Sequence, residues 1–217
     1  MKHFYKISCS LLVVIASMIA FVAPAQLVVD DNVTATQLAN QIVGSGVTIS
    51  NAQLRCGDGG AGLFSSGGTT NIGLNNGILL TSGLASDAGN PASGNTSVNQ
   101  PSAFDGDDDL EDYTPFSVRD VCALTFDFEA ESDFITIQYV FGSEEYNEYV
   151  CSQFNDIFGF FVDGPNPLGG SYNNVNVALV PSSTLPVTVN SINNGVPGEN
   201  GTSGGCLSLS NTAYYIN

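Results

Sequence analysis

The sequence predicts an all-β protein: an antiparallel, jelly-roll-like β-sandwich with one short N-terminal helix. Short apolar or alternating runs recur along the chain, separated by turns rich in glycine and asparagine. In the central third, large apolar side chains alternate with polar ones, the period of a strand with one face on a core. Only one segment carries the period of an amphipathic helix, and there is neither an internal repeat nor a heptad pattern.

Taken in order, the elements begin with a leader. Met1, Lys2, His3 and Lys6 form a basic start, Ile7 to Val22 an apolar run, and Ala23-Pro24-Ala25 a small-x-small site. This is the pattern of a secretory signal peptide cleaved near Ala25–Gln26, with an apolar run too short to remain as a span. Removing 25 of the 217 residues leaves 192, from 26 to 217, a size that suits a single β domain with no transmembrane segment.

Thr34 to Val43 is the helix, with Ala35, Leu38, Ala39 and Ile42 on one face and Gly44 placed to cap its end. Val47-Thr48-Ile49 and Gly77 to Thr81 read as strands, with a glycine-dense loop over 57–68 between them and a long surface excursion over 85–102. Leu124 to Glu129 alternates strictly, and so do Ile135, Ile137, Tyr139 and Phe141. Ile157 to Val162 is continuously apolar and reads as a strand buried on both faces. Val175 to Val180 and Pro186 to Val189 add two more. Phe126, Phe128, Phe141, Phe158, Phe160 and Phe161 are expected in the core, as aromatics on such strands usually are.

Charge narrows the function classes. Both lysines and the sole histidine fall in the leader, so the mature chain keeps Arg55 and Arg119 against 21 acids, a formal charge of −19. Without histidine there is no Ser-His-Asp or Cys-His chemistry and no His-ligated metal. Without lysine there is neither a Schiff base nor a P-loop. So acidic a surface repels nucleic acid and anionic lipid.

Cysteine usage fits export. Cys56, Cys122, Cys151 and Cys206 remain after cleavage, an even number best read as two disulfides. Four cysteines allow three connectivities. The favoured one joins Cys56 to Cys122 and Cys151 to Cys206, each closing a long loop worth about 4 kcal/mol in the chain-entropy picture.

The segment from Tyr139 to Tyr149, Tyr-Val-Phe-Gly-Ser-Glu-Glu-Tyr-Asn-Glu-Tyr, is followed by Asn155-Asp156-Ile157-Phe158-Gly159-Phe160-Phe161. Together they resemble the choice-of-anchor L domain of bacterial secreted and cell-surface proteins. The Leu38-Ala39 helix with Gly46 to Asn51, the run Gly77 to Gly83, Asp107 to Leu110, and Asn176 to Pro181 also match, so the likeness covers most of the mature chain. The resemblance implies an exported module whose host carries varied sorting or anchoring signals, and it brings no catalytic residues. Its pattern continues past Asn217, which implies a domain lacking its last strands and any anchor of its own.

Two acidic clusters are candidate sites. The first is Asp105, Asp107, Asp109, Glu111 and Asp112, where six acids crowd into eight residues with Asp108. Oxygen ligands at alternate positions suit calcium, the one cofactor expected. An EF-hand is excluded, since Leu110 takes the glycine position and Phe116 that of the bidentate glutamate. The second cluster is Glu144, Glu145, Tyr146 and Glu148 with Asn155 and Asp156, expected to converge at one end of the sandwich as a site for sugar hydroxyls or metal, with Tyr146 and Tyr149 as stacking surfaces. The leading expectation is therefore an extracellular adhesion or display module, calcium-stabilised and glycan- or protein-binding, with no enzymatic activity. The alternatives are a carboxylate-based glycosidase, needing two acids facing each other across a cleft, and an inert spacer. Nothing in the sequence fixes the oligomeric state.

Overall fold

The computed structural model describes residues 26–89 and 103–216. The predicted leader, the 90–102 part of the surface excursion and Asn217 lie outside the described residues. The fold is antiparallel and mostly β, as the sequence predicts. Among the described residues it is built from nine strands and two short α-helices: β1 (Val28–Asp30), α1 (Ala35–Ile42), β2 (Val47–Arg55), β3 (Ala61–Ser65), β4 (Asn76–Leu80), α2 (Asp108–Glu111), β5 (Ala123–Ala130), β6 (Ile157–Phe158), β7 (Phe161–Pro165), β8 (Ser171–Asn176) and β9 (Val187–Thr188). They form a three-stranded sheet, β1-β3-β4, and three two-stranded ladders, β2-β5, β6-β9 and β7-β8.

Helix α1 starts where Thr34 and Gln37 satisfy each other. The Thr34 N–H donates to Gln37 Oε1 at 2.8 Å, and the Gln37 N–H donates to Thr34 Oγ1 at 3.3 Å, a complete capping box. Leu38 and Ala39 are wholly buried, and the helix packs against β2, β4 and β5, so it closes the gap between the first two sheets. Gly44 does not supply the expected left-handed cap. Val43 ends the helix in an extended conformation, and the chain turns at Gly46, with φ +83°.

The glycine-dense stretch predicted as a loop over 57–68 contains β3, the central strand of the first sheet. Glycine here serves close approach. A Cβ on Gly62 would lie 2.9 Å from Val29 Cγ1 on the neighbouring strand, and one on Gly77 would lie 2.8 Å from the Phe64 ring. Strand β5 pairs with β2 from Val47↔Ala130 to Arg55↔Ala123, with a register shift between Ser50 and Gln53. One position beyond that last pair, Cys56 and Cys122 form a disulfide across the ends of the two strands. The second disulfide joins Cys151 to Cys206.

Three predicted strands come out differently. Residues 134–143 form no ladder, and Phe134, Ile135, Ile137, Tyr139 and Val140 are exposed. Alternation makes a segment fit to be a strand, but a strand also needs a neighbour with free backbone groups. The run 157–162 divides into β6 and β7, because Ile157 and Phe158 pair with β9 while Phe161 onward pairs with β8. It is half-buried, not covered on both faces. Strand β8 stops at Asn176, whose side-chain oxygen accepts from the Phe160 N–H (3.1 Å) and the Ala178 N–H (3.0 Å) in place of a continuing ladder. None of the six phenylalanines expected in the core is fully buried, and Phe128 is exposed.

The buried apolar residues in the first part of the chain are Leu27, Leu38, Ala39, Ala61, Phe64, Ala85 and Val121. Later in the chain, Val150, Cys151 and Val189 form a cluster against which Phe141, Tyr146, Cys206 and Leu209 pack. Around it lies a polar interior. Thr188, Asn190, Ser191 and Asn193 are buried, and each is hydrogen-bonded. Ser191 Oγ donates to Pro186 O at 2.6 Å, and Asn193 Nδ2 donates to Ser208 O at 3.0 Å, so the polar residues knit loops together where no sheet does.

Candidate functional site

The first acidic cluster is dispersed among separate structural duties. Asp107 caps α2 by accepting the Leu110 N–H at 3.2 Å and forms an ion pair with Arg55, which also donates to Gly106 O at 3.1 Å. Asp109 accepts from Asn174 Nδ2, and Glu111 accepts the Val118 N–H at 3.2 Å. Asp105 lies 3.7 Å from Arg119 and receives the Asp120 N–H at 3.5 Å. Asp112 closes the helix through its backbone and is exposed. These acids stitch the 105–120 segment to β2 and β8 instead of pointing at one centre. Among the described residues no group of three or more His, Cys, Asp or Glu side chains is arranged to hold a metal ion.

The second cluster is drawn together. Residues 144–151 form consecutive turns, with the Tyr149 N–H bonded to Glu145 O at 2.9 Å. Ser143 Oγ donates to Asp156 Oδ2 at 2.7 Å and accepts the Glu145 N–H at 3.0 Å, so one hydroxyl ties both ends of the acidic turn. Glu144 and Glu148 are exposed, and Glu145 is half-buried. Partial loss of water raises the Glu145 carboxyl above its ordinary pKa, and the charges of Asp156, Glu144 and Glu148 push it further the same way. Asp156 keeps an open flank, yet protein crowds its carboxyl and raises its pKa, with the Ser143 hydrogen bond partly offsetting this. The raised values record loss of water around both carboxyls and, for Glu145, the neighbouring acids as well.

Tyr146 and Asn155 face inward. The Tyr146 hydroxyl donates to Ile192 O at 2.5 Å, and its ring lies 5.1 Å from that of Tyr215. Burial, with Tyr215 and Asp156 nearby, raises the phenol well above its ordinary pKa. Asn155 Oδ1 accepts the Asn190 N–H at 2.8 Å. Tyr149 stands edge-on to Phe154 with ring centres 5.3 Å apart. The acids thus form the outer face of the turn, and the polar and aromatic residues among them form its mount.

Much of that mount lies in residues the sequence reading passed over. Asn190 accepts the Cys151 N–H and donates to Ser152 O at 2.8 Å, and the disulfide to Cys206 fastens the same point. Gly198, Gly201 and Gly205 lie backbone to backbone against the turn. A Cβ on any of them would overlap a carbonyl oxygen, of Asn147 and Glu148, of Val150, and of Cys151 respectively. The Gly198 N–H donates to Val150 O at 2.9 Å, and the Asn200 N–H to Glu148 O at 2.8 Å. The glycine run 195–205 was the available signal, readable as close approach as well as flexibility.

A family model for the choice-of-anchor L domain matches residues 27–217. The chain belongs to that family. No curated protein and no solved structure matches it. Membership makes this choice-of-anchor L domain a surface-associated module of a bacterial protein, and its two disulfides agree with an extracellular or cell-surface setting. Among the described residues no helix is long and apolar enough to cross a membrane.

Proposed function

We propose that this choice-of-anchor L domain is an extracellular adhesion and display module whose recognition face is the acidic turn 143–156. The observation that carries this reading is the convergence of Glu144, Glu145, Glu148 and Asp156 on a turn fixed by a disulfide, a buried asparagine and three close-packed glycines. Carboxylates held in place accept hydroxyl donors at little ordering cost, which is the chemistry of glycan recognition. The charge of the chain favours neutral or amino sugars over anionic ones. Calcium is the cation proposed for the same face, with water and ligand hydroxyls completing an oxygen shell that the side chains alone do not make.

A glycan array probed with the oxidised protein tests the reading. Binding should be confined to neutral and amino sugars and should be lost in the Glu144→Gln/Glu148→Gln variant. An array without signal, or signal indifferent to that variant, overturns it. Calcium is tested apart, by thermal unfolding in 2 mM calcium against excess chelator. A dissociation constant of about 0.1 mM would stabilise by about 1.8 kcal/mol, or on the order of 4–7 °C.

A carboxylate hydrolase is the second reading, favoured by the raised Glu145 carboxyl beside Asp156. Release of nitrophenol from nitrophenyl glycosides, abolished by Glu145→Gln, would replace the first reading with this one.

A further inference from the structure

Residues 134–142, Phe-Ile-Thr-Ile-Gln-Tyr-Val-Phe-Gly, have strand composition throughout. Ile135, Ile137, Tyr139 and Phe141 share one face by alternation, and Phe134 and Val140 fall on the other. At the C-terminal end the face is anchored. Phe141 packs on the Val150–Val189 cluster, and the Tyr139 ring lies 4.9 Å from that of Phe158. Towards the N-terminal end it is open, with Phe134 at 85% exposure and Ile135 at 46%. From Ile135 to Gly142 no backbone N–H or C=O makes a hydrogen bond among the described residues. Apolar side chains and a free backbone row therefore coincide on one segment, the combination that templates strand pairing.

Charge decides what can pair there. The segment itself is neutral, but Glu129, Glu131 and Asp133 precede it and Glu144, Glu145 and Glu148 follow it. Arg55 and Arg119, the two arginines of residues 26–217, are ion-paired with Asp107 and Asp105. A second copy would bring the same six acids against themselves, and like charges across an interface oppose association. We propose that residues 134–141 accept an added β-strand from a partner protein, an extended segment with apolar side chains at alternate positions and lysine or arginine at its flanks. Backbone hydrogen bonds would hold the partner, the open apolar face would take its alternate side chains, and the acidic flanks would select it and set its register. The segment adjoins the acidic turn and shares Glu144, Glu145 and Glu148 with it as a flank, but pairing would rest on the 135–141 backbone and not on sugar binding, so the two readings are tested separately.

The probe is a synthetic peptide of alternating valine and threonine with paired lysines at both ends, added to the oxidised protein and read by amide hydrogen exchange. Amides 135–141 should exchange freely in the protein alone and slow by at least about tenfold at saturating peptide. The same peptide N-methylated at alternate residues should give no protection, because it cannot complete the ladder. A glutamate-flanked peptide should bind at least about tenfold more weakly at low salt, and the gap should narrow as salt rises. Ile137→Pro removes a donor that the free protein does not use, and should abolish protection. If that variant fails to fold, Glu131→Lys/Asp133→Lys should weaken the lysine peptide and admit the glutamate one. Protection of these amides in the protein alone, none at saturating lysine peptide, equal binding of both peptides, or self-association through the segment would each overturn the proposal.

Discussion

The Cys151 N–H donates to Asn190 Oδ1 at 2.5 Å across 39 residues of sequence. The same asparagine donates its side-chain N–H to Ser152 O and its backbone N–H to Asn155 Oδ1, so one buried residue fastens three points in the C-terminal half of the acidic turn. Asn190→Ala should strip two of these bonds and leave the buried Cys151 N–H without an acceptor. The expected loss is about 2–4 kcal/mol in denaturant unfolding. Asn190→Asp keeps the acceptor and loses the donor to Ser152, so it should fall between.

The two disulfides should differ in where they are felt. Each closes a loop of comparable length, with separations of 66 and 55 residues, so each should contribute about 4 kcal/mol. Cys56→Ser/Cys122→Ser should loosen the ends of β2 and β5. Cys151→Ser/Cys206→Ser should also raise protease nicking within 143–156, mapped by mass spectrometry.

Glycine substitutions separate close approach from flexibility. Gly201→Ala drives a methyl group into the Val150 carbonyl and should cost about 2 kcal/mol or more. Gly204, three residues on, has open space at its Cβ position, and Gly204→Ala should be neutral or slightly stabilising, by about 0.5 kcal/mol. Thermal melts of the two variants make the comparison directly.

Stability should fall gently as pH rises just past the ordinary carboxylate range. Glu145 and Asp156 have raised pKa values in the fold, so between their unfolded and folded values the native state holds more protons than the unfolded one. Unfolding then becomes easier as pH rises through that window, and the stability present below it is lost above it. Glu145→Gln should flatten this slope and raise stability near neutrality by about 0.5 kcal/mol, a small value because water screens the exposed side of the turn. Urea unfolding across mildly acidic to neutral pH would show both effects.

Much of the fold was legible because its signals are local. The alternation of Leu124, Phe126 and Phe128 marks β5, and the shared face of Ala35, Leu38, Ala39 and Ile42 marks α1. Glycine was ambiguous, since the same residue supplies a turn at Gly46 and a gap for a neighbouring strand at Gly62. The alternation at Ile135 to Phe141 was real, but alternation specifies a face and not a partner. For the acids, clustering in sequence was visible and convergence of the second cluster was expected, while the groups that hold each acid were not visible. Asp107 is turned to Arg55, 52 positions away, and the turn at 144–151 takes its mount from residues around 190–206. A one-dimensional reading counts carboxylates and does not see what each is tied to.

That mount has a consequence in time. Asn190, the three glycines and Cys206, which fasten the acidic turn from a distance, are all synthesised after the turn itself. A chain made only as far as Leu185 carries the acids and the local Ser143 bonds, but none of these distant supports. Closure also waits for the thiols of Cys151 and Cys206 to meet an oxidising compartment. The charged face is thus held in full only by a chain made through residue 206 with Cys151 and Cys206 joined.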